Sequence, residues 1–528
     1  MALQSELNMK FPGLDSRRSC LFRITEPERK KFEKLLFQRH PAREWGSFFR
    51  FGYRRTEWGL AVTFVSAMPP LPGDLSRQSS IVSFRSQYIS RALKELEGTP
   101  FGIGIAHSHP HGWGVSPSPS DDDMDDYFAD LFEPYGDSRP YCSLILNRRD
   151  NEELVFSGRA FDSGKWFPVS EFITPTFPYA RLQNDEIEIP KPKTSDSDYD
   201  EESVTARLEQ LYGKIAARKL RKSRVGIIGC SGTGSPAIEC LARAGVGEFV
   251  IVDYQRFGRS NLERIHGSWF EHTKRNPLPY KVELMAEMIW KINPSARITA
   301  FVGNILDEEV LGELLRCDLL LGCTDTHHAR AALGDIATRF LVPAIDIGVM
   351  PEGHDGRVTA QLVDITRYSP ELPCAFCSDC VSTWPITVEC MTDEERNQRK
   401  DAATEAAKRG EDGTVYWGGD LAQLPTIGYL TTNAGSLVAG YVINWLAGTS
   451  DLPHSRFQFD LGQPEFGFKI INRRRKSSCG CGRFIGHSDQ ADAAITKPSH
   501  WPRPVRLSLL APSFGLRSAS GRSEAHLE

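Results

Sequence analysis

The sequence predicts an α/β protein built from two successive domains, on three observations. The chain has 528 residues, several times the typical domain of roughly 100–200 residues. Short apolar runs alternate with helical patterns through residues 20–177. A second region opens at residue 205 with a helix, then a buried-type strand, a glycine-rich turn, a second helix and a second strand ending in Asp253.

In the first domain, residues 59–65 (GLAVTFV) and 141–146 (YCSLIL) read as strands, and residues 90–96 (SRALKEL) as an amphipathic helix. The apolar run Phe101, Ile103, Ile105 leads into His107-Ser108-His109-Pro110. Two imidazoles one residue apart project from the same side of an extended backbone, so both reach one ion. A downstream aspartate adds an oxygen ligand, and three protein ligands leave the fourth tetrahedral position of a zinc ion open to water, the mark of a catalytic site. Zinc lowers the pKa of such a water to about 7. Two frames supply the aspartate: Ser118 with Asp121, or Ser120 with Asp123. Both remain open.

Residues 178–204 turn acidic and Pro/Ser-bearing, which predicts a solvated linker. The second domain spans residues 205–485. Its strand over 224–229 runs into Gly229, Gly232 and Gly234, where backbone N–H groups can approach a phosphate at a helix N-terminus. Asp253, at the end of the next strand, stands where an acid binds a ribose hydroxyl. Asn261, Arg264 and Lys281 add polar and positive groups suited to a triphosphate, and Asp325 closes the strand over 318–322, well placed for Mg²⁺. A long apolar helix from about Leu424 to Gly448 reads as core. The Ser-, Pro- and Arg-rich residues 486–528 read as a disordered tail.

Composition narrows the function classes. A net charge of −5 gives no global case for nucleic acid or a membrane surface. There is no apolar run near the ~20 residues of a membrane helix and no signal-peptide pattern, so the expected compartment is the cytoplasm. The 12 cysteines are too few for a disulfide framework in so long a chain. Cys374, Cys377 and Cys380 at CxxC spacing, with Cys479 and Cys481 near the end, suggest metal instead.

The HSHP run, a short loop and Ser-x-x-Asp resemble the signature of the JAMM (MPN/JAB) zinc metalloproteases, although the family's loop is usually shorter. The resemblance implies a JAMM/MPN α/β domain over residues 20–177, with the serine holding an oxyanion and a glutamate from an earlier strand as general base. Residues 43–51 (REWGSFFRF) resemble the family's first segment and make Glu44 that base.

Over residues 205–485 the glycine loop, strand-end Asp, Ser-Asn-Leu-x-Arg, Lys and Cys-Thr-Asp appear in the order found in ubiquitin-activating enzymes and the ThiF/MoeB adenylyltransferases. Gln255 departs from the pattern, since many members carry a second acid there. The resemblance implies a Rossmann-like ATP-binding domain in which Asp253 binds the ribose, Asn261, Arg264 and Lys281 the phosphates, and Asp325 the Mg²⁺. It also implies a structural zinc on Cys374, Cys377, Cys479 and Cys481. The second pair has one intervening residue instead of two, which leaves Cys380 as a substitute ligand. Cys390, in a polar stretch before the next helix, is a candidate acyl acceptor.

Together the resemblances imply a protein that processes or removes a ubiquitin-like modifier with a zinc protease site and activates its C-terminal glycine by ATP-dependent adenylation. Implied partners are that Gly-ending protein, a conjugating enzyme of a prokaryotic-type conjugation system and a second copy of the chain. The rival reading is adenylation of a sulfur-carrier protein for cofactor or cysteine biosynthesis. A third reading is a non-catalytic scaffold with degenerate sites.

Overall fold

Each half is organised by its own sheet. The structure, a computed structural model, describes residues 8–9, 14–15, 17–77, 82–132, 139–188, 205–421, 425–451, 454–463, 465 and 467–509. In the N-terminal half the sheet runs, by neighbours, Ala180–Gln183, Lys165–Thr174, Ser19–Arg23, Gly59–Met68, Trp45–Thr56, Gly102–Ser108, Tyr141–Arg148 and Leu154–Asp162. Leu154–Asp162 also pairs with the first part of Lys165–Thr174, which closes the sheet on itself. Phe22, Phe49, Val62, Leu144 and Phe167 fill one face and Phe48, Tyr88, Ile105, Phe128 and Tyr141 the other. On that second face pack the helices Ser86–Leu96 and Pro119–Phe132.

The C-terminal sheet has a parallel centre, Ala344–His354, Leu319–Gly322, Arg224–Ile228, Glu248–Val252 and Arg297–Val302 in spatial order, as the predicted strand–helix alternation requires. Arg357–Tyr368 and Arg456–Asp460 extend one edge antiparallel. The strands Leu319–Gly322, Arg224–Ile228 and Glu248–Val252 are buried on both faces. Val225, Ile227, Phe249 and Ile251 point into a core shared with the helices Gly234–Arg243, Lys281–Ile292 and Gly428–Ala447, while Ile228, Val250, Val252 and Leu320 meet the helix His327–Arg339. Chain order reverses beside Arg224–Ile228, which opens a crevice at the carboxyl ends of the strands. Among the described residues no helix is long and apolar enough to cross a membrane.

Two expectations need correction. Of residues 178–204, expected as a solvated linker, the first part is structured. Ala180–Gln183 pairs with Lys165–Thr174, and Ile187–Glu188 pairs with Asn8–Met9. Tyr179 and Arg181 both bond the buried carboxylate of Asp318 in the second half, and this partner is why the segment docks despite its polar composition. Residues 189–204 lie outside the described residues.

Residues 486–528, expected as a disordered tail, form an ordered strap as far as residue 509, and the rest lie outside the described residues. Gly486 O and Ser488 Oγ meet Thr63 Oγ1 at 2.6 and 2.8 Å, Gln490 Oε1 accepts from Tyr53 N at 2.6 Å, and Arg339 donates to Ser488 O and Ala491 O. The strap ends as Val505–Arg506, an antiparallel edge strand on Arg297–Val302. Several of its backbone groups find long-range partners, which hydrophobic periodicity does not register.

Candidate metal and nucleotide sites

His107 lies on Gly102–Ser108 and His109 just beyond it, with ring centroids 5.2 Å apart and both side chains buried. The helix Pro119–Phe132 brings Asp121 to them: Oδ1 is 3.2 Å from His107 Nε2 and Oδ2 is 3.7 Å from His109 Nε2. Ser118 caps this helix, its N–H and Oγ donating to Asp121 Oδ2 at 2.7 and 2.8 Å. Of the two frames, Ser118 with Asp121 therefore faces the histidines. Ser120 and Asp123 are exposed and are not among the clustered groups, because the helical turn aims them away.

The donor set fits a zinc ion. Both ring nitrogens of His107 are buried without a hydrogen-bond partner, since the approach to Asp121 is close but misaligned. A buried imidazole left so is costly, and an ion held by Nε2 would satisfy that one of its two nitrogens. His109 Nδ1 faces Gly114 O at 3.2 Å. Donating there leaves Nε2 as the ligand nitrogen. Burial alone would raise the Asp121 carboxyl, but His107 and His109 hold it well below the usual carboxylate range.

Glu44 lies immediately before the strand Trp45–Thr56, whose Gly46 is paired with His107. Its Oε2 accepts from Val82 N at 2.8 Å. Burial raises its carboxyl above the ordinary value against the opposing pull of His107, the direction that strengthens a carboxylate as a proton acceptor.

The four cysteines converge. Cys374 and Cys479 sulfurs are 3.7 Å apart, Cys377 and Cys481 3.9 Å, and all four lie within 4.8 Å of one another. A tetrahedron with metal–sulfur bonds of about 2.3 Å has edges of about 3.8 Å, so the set fits zinc. The one-residue gap does not prevent convergence, because Gly480 begins a short 3-10 turn. Cys380 is not among the clustered groups. Its sulfur faces Thr366 Oγ1 at 3.3 Å.

At the crevice, Gly229 has φ +98°, and a Cβ on Gly234 would stand 1.9 Å from Gly229 O. Both positions require glycine. Asp253 accepts from Cys230 N at 2.9 Å and Gln255 N at 2.8 Å, and burial raises its carboxyl despite nearby Lys281. Lys281 bonds Gln255 Oε1, so the residue that departs from the acidic pattern neutralises nothing but orients the ammonium. Asn261 is buried and its Oδ1 accepts from Gly258 N at 2.9 Å. Arg264 Nη1 donates to Ser260 O, with its Nε unpartnered. Asp325 is exposed just beyond Leu319–Gly322.

Three features escaped the sequence reading. The helix Gly428–Ala447 is core, as expected, although Leu424 lies outside the described residues; it also covers the glycine loop, with Thr431 against Gly232 and Gly435 against Thr233 O. Glu389 accepts from the N–H groups of His327 and His328, both at 2.8 Å, capping the helix that follows Asp325. Cys390 is therefore near this end of the crevice, but it ends the helix Thr383–Cys390 instead of lying in a loop, and burial, then Glu389, raises its thiol. Finally, buried Asp346 pairs with Arg330 at 3.2 Å, its Oδ1 unpartnered. In sequence this neighbourhood was signalled by the glycine loop, Asp253, Lys281 and the Ser-Asn-Leu and Cys-Thr-Asp runs, none of which points to Glu389 or Asp346.

The model of the ThiF family matches residues 205–481. Among curated proteins, "Adenylyltransferase and sulfurtransferase UBA4" of Yarrowia lipolytica is 29% identical over 168 residues, covering 29% of this chain and 41% of that protein. "Adenylyltransferase and sulfurtransferase MOCS3" of Drosophila willistoni is 27% identical over 233 residues, covering 44% and 45%. The chain thus spans less than half the length of these relatives. Among solved structures, E. coli MccB with MccA-N7isoASN aligns at TM-score 0.41 and 18% identity, over 54% of this chain and 75% of that one.

Proposed function

Since the chain belongs to the ThiF family, we propose that residues 205–485 bind ATP with Mg²⁺ and adenylate the C-terminal glycine of a ubiquitin-like or sulfur-carrier protein. The observation that supports this reading is Asp253 at the carboxyl ends of the parallel strands, bonded to Cys230 N of the glycine loop with Lys281 and Asp325 among its charged neighbours; Asn261 and Arg264 follow in the next turn. A carboxylate oxygen of the incoming glycine attacks the α-phosphorus, and the bond to the β-phosphate bridge breaks to release pyrophosphate. Asn261, Arg264, Lys281 and the loop N–H groups would hold the phosphates in line, Asp253 the ribose, and Asp325 the Mg²⁺. Catalysis is positioning and charge neutralisation. Pyrophosphate exchange dependent on a Gly-ending protein tests it. Asp325→Ala should lower exchange at least 100-fold, and unchanged exchange would overturn the assignment.

The relatives' printed names favour transfer of sulfur to the adenylate over conjugation. A thiocarboxylate formed without any enzyme thioester supports sulfur transfer; an ATP-dependent thioester lost in Cys390→Ala supports conjugation, with a conjugating enzyme next in line. Light scattering tests the expected homodimer. Absence of exchange with every Gly-ending partner would leave the scaffold reading standing.

For the N-terminal half we propose JAMM-type zinc isopeptidase chemistry, supported by the His107, His109 and Asp121 cluster beside Glu44. Zinc held there would polarise the scissile carbonyl and supply an activated water. Glu44 would take that water's proton and return it to the leaving amine, and Ser118 Oγ would steady the oxyanion by turning its one O–H away from Asp121 Oδ2, where it donates in this structure. Cleavage of a Gly-linked precursor should stop on chelation and fall at least 1,000-fold in Glu44→Gln; survival of both treatments would sink it.

A further inference from the structure

We propose that Arg159 is a positioning residue for the metal, holding the helix Pro119–Phe132 so that Asp121 faces His107 and His109; this rests on the zinc-site reading above. The helix reaches the ion through one side chain, so its rotation and height decide whether a ligand oxygen arrives. Arg159 fixes both. From the strand Leu154–Asp162, its Nε donates to Asp125 Oδ2 at 2.7 Å, Nη1 pairs with Asp122 Oδ1 at 2.7 Å, and Nη2 donates to Asp121 O at 3.3 Å. One guanidinium thus grips three residues of the first two helical turns, including the backbone of the ligand itself.

The strand beneath is well anchored. Arg159 is paired with Ser143, whose strand Tyr141–Arg148 lies beside Gly102–Ser108 with Ile145 opposite His107. Arg159 and the two histidines therefore belong to one sheet, and the guanidinium transmits that sheet's geometry to the helix. Trp166 backs the guanidinium at 5.1 Å, and Tyr141 OH donates to Asp125 Oδ1 at 2.7 Å. Asp125 is 2% exposed; without Arg159 its charge would be buried and unpaired, next to the carboxylate that must stay ionised to bind metal. The planar fork is what makes three simultaneous contacts possible, and lysine, a point charge, cannot reproduce them.

The test is zinc affinity of the full chain, by competition with a chromophoric chelator, beside circular dichroism of the metal-free protein. His107→Ala should remove one zinc equivalent and leave the cysteine-bound one; if it removes none, the site reading fails. Given that loss, Arg159→Met should weaken the same equivalent by about tenfold or more, the range for groups that orient metal ligands. Arg159→Lys should fall between. Affinity in folded Arg159→Met within twofold of the unsubstituted protein would overturn the positioning role alone. If Arg159→Met does not fold, Arg159→Lys decides: a loss of at least threefold supports the role, and unchanged affinity removes it.

Discussion

Asp346 shows how far one side chain departs from what its letter announces. Its carboxyl is buried, its Oδ1 is unpartnered and Arg330 meets only Oδ2, so burial pushes its pKa up to about 6 from 3.8. The folded chain then binds this proton more tightly than the unfolded chain. Its contribution is full below pH 3.8 and is lost as pH rises through about 6. Between pH 4 and 7 stability should fall by ~2 kcal/mol on this account, and urea titrations of Asp346→Asn should lack that slope. Nothing in the sequence marks Asp346, because the shift comes from packing by residues distant in the chain. The clustering of His107 with His109, and of the four cysteines, was legible for the opposite reason: each group rests on candidate ligand residues that recur at short spacing. The choice between Asp121 and Asp123 needed the helix, since two positions along a helix turn a side chain by about 200°.

Helices and strands were legible where periodicity was strong. The parallel strands Arg224–Ile228 and Glu248–Val252 stand where apolar runs place them. The helix Gly428–Ala447 was legible as core, but its contact with the glycine loop was not, because nothing in a helix's own pattern names its neighbour. Gly435 is where that contact is tightest: a Cβ would lie 2.4 Å from Thr233 O and 2.5 Å from Pro236 Cγ. Gly435→Ala should push the helix off the loop, costing about 1–3 kcal/mol. It should also cut the thermal shift produced by ATP. An ATP shift equal to that of the unsubstituted chain would show that the helix does not brace the loop.

The whole molecule departs most from expectation. A solvated linker over residues 178–204 was expected to join two domains, and the halves also share polar contacts. Arg23 donates to Cys317 O, Trp58 Nε1 to Gly312 O, Arg181 pairs with Asp318, and the strap binds both. Such long-range pairing leaves no compositional trace. Ending the chain after residue 485 removes the contacts of Ser488, Asp489 and Gln490 with Thr63, Arg54 and Tyr53. Calorimetry should then show two separated transitions where the full chain gives one. A single transition in both would mean that the strap does not weld the halves.

The cysteine cluster joins residues 105 and 104 positions apart, and the strap begins directly after it. As the chain leaves the ribosome, the N-terminal barrel can close while the nucleotide half is still being made. That half must wait for Cys479 and Cys481, and its last edge strand, Val505–Arg506, comes later still. A product cut short by a broken message therefore emerges with its cysteines unpaired across the fold and a bare sheet edge, open to proteolysis.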